Sequence, residues 1–162
     1  MSSGISQAIT ITRPANATAY GAGDVVGNST AAGGGILEFT NIGSGSNSRF
    51  FLMSSQFRWD LSTIPSGATS FNLHFYSASP PSAYADNDPW DLPSGDRAYY
   101  LGYISLGTPV DLGSTCYVKA NILNKEMRLS GTSIYAYLVT VAGYTPASGT
   151  TMGINLLGLG LW

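Results

Sequence analysis

The feature that most constrains the fold is a two-residue alternation of apolar side chains, which recurs in short segments along the chain. In Phe71–Tyr76, for example, Phe71, Leu73 and Phe75 occupy every second position. Successive side chains of a β-strand point to opposite faces, so these three are expected to line a core. No stretch of ten or more residues has the spacing of an amphipathic helix. The pattern predicts an all-β protein, an antiparallel β-sandwich or jelly-roll-like single domain over residues 1–162.

The predicted strands are separated by Gly-, Ser- and Asn-rich turns. They are Ala8–Thr12, Ile36–Thr40, Arg49–Trp59, Phe71–Tyr76, Ala98–Leu106, Cys116–Ala120, Glu126–Leu129, Ser133–Val141 and Met152–Trp162. Arg49–Trp59 is interpreted as one long strand or as two joined by a bulge, and Asn124 with Lys125 as a hairpin tip. The apolar face of the last segment changes between Leu156 and Leu157, which predicts a β-bulge there. Ser133–Val141 is apolar on both faces, as in a strand that is central in a sandwich or half in an interface.

Residues 77–97 form a segment with no regular period and with four prolines, each lacking a backbone donor. Loops of this length in compact domains are commonly functional or disordered. The large apolar side chains of Tyr84, Trp90 and Leu92 argue against plain disorder. We therefore predict an ordered interface loop over residues 77–97, within a domain whose residues 1–27 form an N-terminal arm and first strand.

Composition excludes some function classes. Charged residues make up 10% of the chain, against about 25% in an ordinary soluble domain. The net charge is −2 and there is no basic run, so binding to a nucleic-acid backbone is not expected. A surface with so few charges indicates an assembly interface, the alternative being a bland β-domain with a neutral, hydroxyl-rich surface.

Three sequence features bear on the compartment. The single Cys116 cannot form an internal disulfide and is expected to be a small buried hydrophobe. Residues Met1–Ser6 lack the basic start and apolar segment of a secretion signal. No apolar run approaches the roughly 20 residues that a membrane-spanning helix needs. We expect the product to be made and kept in a cytoplasm until something releases it, with no membrane partner.

The sequence offers few residues that could form a catalytic site. His74 is the only histidine, and its position in the alternation places it opposite the core face, where a structural role is expected. Glu38 and Glu126 are the only glutamates, and nothing pairs them with an aspartate for glycoside chemistry. The glycines of residues 33–35 lack the strand–turn–helix context of a phosphate-binding loop. The sequence predicts no enzyme and no cofactor.

The acidic residues of the long loop are the best metal candidates. Asp86, Asp88, Asp91 and Asp96 could supply oxygens to Ca²⁺, but their spacing does not match the calcium-loop motif. Turn chemistry is the expected role, since Asp before Pro or Gly bonds its own backbone. Tyr and Trp near Arg97 are typical of protein interfaces and of sugar-binding faces, and we favour an interface.

Two stretches resemble a known family. Ile9–Tyr20 with Gly23–Gly27 is similar to the opening of small structural proteins of tailed bacteriophages, and Asp86–Leu92 with Gly95–Gly102 to their middle. These are the capsid cement, or decoration, proteins. The order of the two stretches and the strand pattern between them extend the likeness over most of the chain.

The resemblance implies a jelly-roll-like virion protein. It would bind the outside of an icosahedral phage head as a homotrimer, clamp neighbouring copies of the major capsid protein, and be assembled in the bacterial host cytoplasm. Contacts to capsid or sister subunits are then expected at Arg13, Pro14, Tyr20, Asp24, Tyr84, Asp86, Asp88, Trp90, Asp91 and Arg97. The alternative is a carbohydrate- or receptor-binding module of a tail fibre or spike, using Tyr84, Trp90 and the tyrosines after Arg97.

Overall fold

The chain folds into antiparallel β-strands arranged in two sheets. The computed structural model describes residues 2–162, apart from the side chains of Ile122 and Leu123, and this part of the chain contains no helix. The strands are β1 (Ser2–Thr12), β2 (Val25–Val26), β3 (Leu37–Phe39), β4 (Arg49–Trp59), β5 (Phe71–Tyr76), β6 (Tyr100–Ser105), β7 (Val110–Asp111), β8 (Cys116–Arg128), β9 (Ile134–Thr140) and β10 (Thr151–Leu161). The first sheet has the order β1-β10-β4-β8-β7, and the second has the order β2-β9-β5-β6 with β3 also paired to β9.

The strands pair from the two ends of the chain inward. β1 pairs with β10, β2 and β3 with β9, β4 with β8, and β5 with β6. The chain is therefore doubled into one long antiparallel hairpin, and its paired arms fall alternately into the first and the second sheet. A rolled hairpin of this kind is a jelly roll. The predicted all-β, jelly-roll-like sandwich is confirmed.

The core lies between the facing sides of the two sheets. Its largest members are aromatic: Trp59 meets Phe71 edge-on at 5.5 Å between ring centroids and Tyr144 at 5.4 Å. Phe71, Leu73 and Phe75 all lie in it, as their alternation predicts. Burying one such side chain contributes roughly 1.5–3 kcal/mol, which makes this cluster the main stabilising element of the fold. Cys116 is buried as expected.

The predicted hairpin at Asn124 and Lys125 is wrong. β8 continues through these residues and pairs with β4 on both sides of them. The register moves from Ser54 opposite Asn121 to Leu52 opposite Lys125, so β8 carries extra residues at this point. Asn124 has φ 51°, a left-handed conformation that asparagine tolerates better than most residues. Asn124 does adopt a turn-like backbone conformation, but it forms an irregularity inside β8 and not a hairpin.

The register of β10 with β4 shifts between Leu157 and Gly158, one residue from the predicted bulge, but the extra residue is on β4. β10 continues its alternation unbroken, with Gly158 and Gly160 taking the buried positions after Leu156. Gly158 is required there because a Cβ would lie 2.1 Å from the carbonyl oxygen of Phe51. The extra residue is Met53 of β4, which has no register partner on β10. A bulge in Arg49–Trp59 is thus confirmed, and the apparent change of face in β10 reflects glycines at core positions.

A loop-covered face and an open face

The long loop covers the outer face of the second sheet. A second apolar cluster forms there from β2, β5 and β9 together with loop side chains; its members include Val25, Tyr76, Tyr137, Val139, Tyr84, Trp90 and Leu92. The inner side of β9 faces the main core through Ile134, Ala136 and Leu138. β9 is therefore central in its sheet, and its second apolar face is covered by the same chain.

Backbone hydrogen bonds fasten the loop along β2. The Asn87 amide donates to the Val25 carbonyl and the Val25 amide to the Asp88 carbonyl, both at 2.8 Å. The Trp90 amide donates to the Gly23 carbonyl at 2.8 Å. Because these bonds continue the ladder beyond β2, the edge of the second sheet on that side is closed by the loop.

A buried ion pair joins the N-terminal arm to the loop. Arg13, Tyr20 and Asp86 are 2%, 3% and 4% exposed. The Arg13 guanidinium lies 3.6 Å from the Asp86 carboxylate and its Nε donates to the Tyr20 hydroxyl. That hydroxyl in turn donates to Asp86 at 2.6 Å, and the Gly27 amide donates to the same carboxylate at 2.9 Å. These three side chains hold the loop and arm together and offer almost no surface to another molecule.

The pKa of the Tyr20 hydroxyl reflects this setting. Burial raises it well above its ordinary value, and the hydrogen bond to the Asp86 carboxylate raises it further. The hydroxyl therefore stays protonated and keeps donating to Asp86. Tyr144 packs against Tyr20 with the rings tilted and 5.1 Å between their centroids, and burial is the main cause that raises its pKa as well.

His74 lies in an aromatic stack beneath the loop. Its ring centroid is 3.8 Å from that of Trp90 and 5.0 Å from that of Tyr103, and its Nδ1 is 3.0 Å from the Tyr100 hydroxyl. The Trp90 indole also donates to the Tyr76 hydroxyl at 3.2 Å. Burial lowers the pKa of His74 from 6.5 to about 4. The imidazole is neutral near pH 7 and works as a packed ring, the structural role expected for it.

The four loop aspartates are used separately. Besides Asp86, Asp96 is fully buried and accepts from the Ser82 amide at 3.0 Å, and Asp88 accepts from the Ala85 amide at 2.7 Å. Asp91 bonds the next amide, that of Leu92, at 2.7 Å. Within residues 2–162 no group of three or more His, Cys, Asp and Glu side chains is arranged to hold a metal ion. Asp88 and Asp91 bond nearby backbone, as turn chemistry predicts. Asp86 and Asp96 instead bind groups that are distant in sequence.

The other residues singled out from the sequence are scattered. Pro14 is half-buried, and its carbonyl accepts from the Asn16 amide at 2.7 Å. Asp24 is half-buried, accepts from the Gly21 amide and forms a bridge with Pro89. Tyr84 is also half-buried. Arg97 is exposed at the end of the loop.

The outer face of the first sheet is open and partly apolar. Its apolar side chains are the exposed Met53 of β4 and Leu159 of β10 with the half-buried Phe51, Leu157 and Leu161; we call this set the β4–β10 patch. Met53 is 49% and Leu159 41% exposed. An exposed salt bridge between Arg49 and Glu126, at 3.2 Å, lies at its margin. Apolar patches with a polar rim mark interaction sites.

The sequence pointed to the loop and missed this patch. The signal in the sequence was the alternation of Leu157, Leu159 and Leu161. The sequence does not show that β4 lies beside this row. Further along the same face, Gly153 leaves a groove of about 250 Å³ whose lining includes Gln56, Arg58, Tyr117 and Asn155. No helix among the described residues is long and apolar enough to cross a membrane.

No protein-family model and no curated protein sequence matches this chain. Among solved structures, a chain of the capsid of Ralstonia phage GP4 is similar, with 17% identity, a TM-score of 0.43, and coverage of 98% of this chain and 83% of that one. A chain of the full particle of Israeli acute paralysis virus has 14% identity, a TM-score of 0.33, and coverages of 97% and 71%. The Drosophila NLP-core has 7% identity, a TM-score of 0.36, and coverages of 99% and 98%. With TM-scores below 0.5, these likenesses carry no argument about function.

Proposed function

We propose that this protein is a structural virion protein, a capsid cement or decoration protein that binds the outer surface of an icosahedral phage head and clamps neighbouring major capsid proteins. The observation that carries the proposal is the open β4–β10 patch, an apolar face on a chain with only 10% charged residues. Such a surface calls for a protein partner. The kind of partner comes from the resemblance of Ile9–Tyr20 and Asp86–Leu92 to cement proteins.

The finer assignments belong to the same proposal. The protein acts as a homotrimer on the virion exterior, and several modest contacts per copy add up because each bound contact raises the effective concentration of the next. The exposed Asp91 and Arg97 are candidates for direct contact. Arg13, Tyr20 and Asp86 contribute by fixing the shape of the arm and loop from inside.

Binding to capsids tests the proposal. Expanded heads lacking the cement protein are mixed with the purified chain and sedimented, and we expect saturation at a fixed number of copies per head. Leu159→Lys places a charge in the β4–β10 patch and should weaken binding at least tenfold. Leu112→Lys is the matched control, since Leu112 is 66% exposed and lies outside that patch. A chain that does not sediment with heads, or equal binding by both variants, would overturn the proposal.

A second function has one observation in its favour. The groove at Gly153 combines hydrogen-bonding side chains with the ring of Tyr117, a set that fits a sugar. A carbohydrate- or receptor-binding module of a tail fibre or spike would use this groove, because Trp90 is engaged with His74 and Tyr76. Glycan-array binding that is lost in Tyr117→Ala would establish it, and an array without hits would remove it.

A further inference from the structure

Three of the four sheet edges formed by the described strands are protected. β7 is a two-residue strand. On the edge that β2 and β3 share, the backbone of the long loop lines β2, and β3 has only three residues. β6 has a register irregularity opposite Phe75 and Tyr76, and Lys125 lies against its Gly102. Short edge strands, bulges, nearby charges and covering loops are the usual ways of preventing edge-to-edge pairing. The fourth edge, β1, has none of these protective features along residues 4–10.

β1 presents a row of unpaired backbone groups. It pairs only with β10 among the described strands, and the Arg13 amide continues that ladder by donating to Thr150. Hydrogen-bonded and non-hydrogen-bonded pairs alternate in an antiparallel ladder. The amides and carbonyls of the even-numbered residues therefore point away from β10. At one end the Asn28 side chain accepts from the Thr12 amide at 2.8 Å. The row from Gly4 to Thr10 has no partner strand among the described residues, and the Gly4 carbonyl accepts only a long contact, at 3.5 Å, from the Ser3 hydroxyl.

Nothing along this row opposes pairing. Residues 2–12 contain no charged residue and no proline, and their register with β10 has no irregularity. The even-numbered side chains from Gly4 to Thr10 are small. On the other side of the strand, Ile5 and Ile9 pack against the core but remain only partly buried, because none of the described strands lies beyond them.

We propose that β1 is an interface with a second copy of this chain, in which two β1 strands pair antiparallel about a twofold axis at Gln7. Gly4 then forms hydrogen-bonded pairs with Thr10 of the copy, and Ser6 with Ala8. Ile5 of each copy lies opposite Ile9 of the other, which buries the two half-exposed isoleucines. The first sheets of the two copies join into one continuous sheet.

A second copy of this chain is the partner that best fits the β1 edge, because the edge is complementary to itself. A twofold interface requires one surface to complement itself. This edge does so, because it carries no charge to repel its own image and pairs each isoleucine with an isoleucine. The proposal is independent of the capsid role and concerns a surface distinct from the β4–β10 patch. A twofold contact is not the interface of the proposed homotrimer, so it would join two single copies or two trimers.

Cysteine cross-linking tests the register. Gln7→Cys brings two cysteines face to face on the axis, where non-hydrogen-bonded partners have Cα atoms about 4.5 Å apart, within disulfide range. Ser3→Cys is the matched control on the same strand and the same face. Its two copies would be about 26 Å apart, from eight residues at about 3.3 Å each. With buried Cys116 left in place, Gln7→Cys should oxidise to a covalent dimer at least tenfold faster. Equal rates would overturn the proposal.

A proline on the edge tests the hydrogen bonds. Ala8→Pro removes an amide that points away from β10, so the fold, checked by circular dichroism and thermal unfolding, should be retained. Self-association measured by sedimentation equilibrium should weaken at least tenfold. If Ala8→Pro does not fold, Ala8→Lys places like charges near each other across the same axis and takes its place. Self-association unchanged in the folded variant, or a wild-type chain that stays monomeric at high concentration, would contradict the proposal.

Discussion

Arg13 and Asp86 show how one buried pair can organise two distant segments. Moving two charges out of water is expensive, and a buried pair is tolerated when further hydrogen bonds satisfy it. Here Tyr20, Gly27 and the Ala147 carbonyl supply those bonds. The resemblance to cement proteins made Arg13, Tyr20 and Asp86 candidates for outside contacts. The sequence could not reveal their burial, because Tyr20 and Asp86 are 66 positions apart and neither segment has a periodic pattern.

Removing one partner of this pair should be strongly destabilising. Asp86→Ala leaves the Arg13 guanidinium buried without its counter-charge, so the free energy of unfolding should fall by about 3–5 kcal/mol. The matched control is Arg49→Ala, which breaks an exposed pair with Glu126 and should cost about 0–1 kcal/mol. Urea unfolding at pH 7 measures both. Equal costs for the two variants would show that the buried pair is not what joins arm and loop.

At the scale of elements, alternation identified most strands but not their neighbours. β5, β6 and β9 lie where the alternation predicts them. Alternation shows which face of a strand is buried, but it carries no information about the strand that pairs with it. The alternation gave wrong predictions at two positions where backbone geometry determines the structure. Gly158 lies on the core face without an apolar side chain. Asn124 has a left-handed conformation within β8 and does not end the strand. The loop was predicted to be ordered from its aromatic residues. The contact of the loop with the outer face of β9 could not be predicted. Both surfaces are apolar, and no local sequence pattern indicates that they pack together.

Trp90 is the residue through which the loop should contribute most to stability. It packs against the cluster over the second sheet, contacts the His74 ring and donates a hydrogen bond to Tyr76. Trp90→Ala should lower the free energy of unfolding by about 2–4 kcal/mol, somewhat less than the roughly 3–5 kcal/mol for a fully buried aromatic, because Trp90 is only half-buried. Tyr99→Ala, an exposed aromatic just beyond the loop, should change it by about 0.5 kcal/mol or less. Chemical denaturation of the two variants compares them, and similar losses would mean that the loop adds little.

For the whole molecule, the two sheets differ in what covers them. The second sheet has its outer face under the chain's own loop, whereas the first has an open outer face and an open edge at β1. Both sheets have apolar outer residues, so this difference cannot be obtained from composition. It depends on a topology in which the ends of the chain pair with each other, placing β1 at an edge and β10 beside it. We therefore expect the first sheet to be the one that meets other molecules.

The stability of the whole fold should depend on pH through His74. The folded protein binds a proton on this imidazole only near pH 4, whereas the unfolded chain binds it near pH 6.5. Between these values the unfolded state holds more protons, so the free energy of unfolding must fall as the pH drops through that window. The shift corresponds to about 3 kcal/mol lost by pH 4, at about 1.4 kcal/mol per pKa unit.

His74→Phe isolates this contribution, because phenylalanine keeps a flat ring between Trp90 and Tyr103 but cannot be protonated. Carboxylates titrate in the same range in both proteins, so the quantity to compare is the difference in free energy of unfolding between pH 7 and pH 4. We expect that difference to be about 3 kcal/mol larger for the wild type than for His74→Phe. Parallel pH profiles would mean that the imidazole is hydrated in the folded protein and that the loop does not seal the outer face of the second sheet.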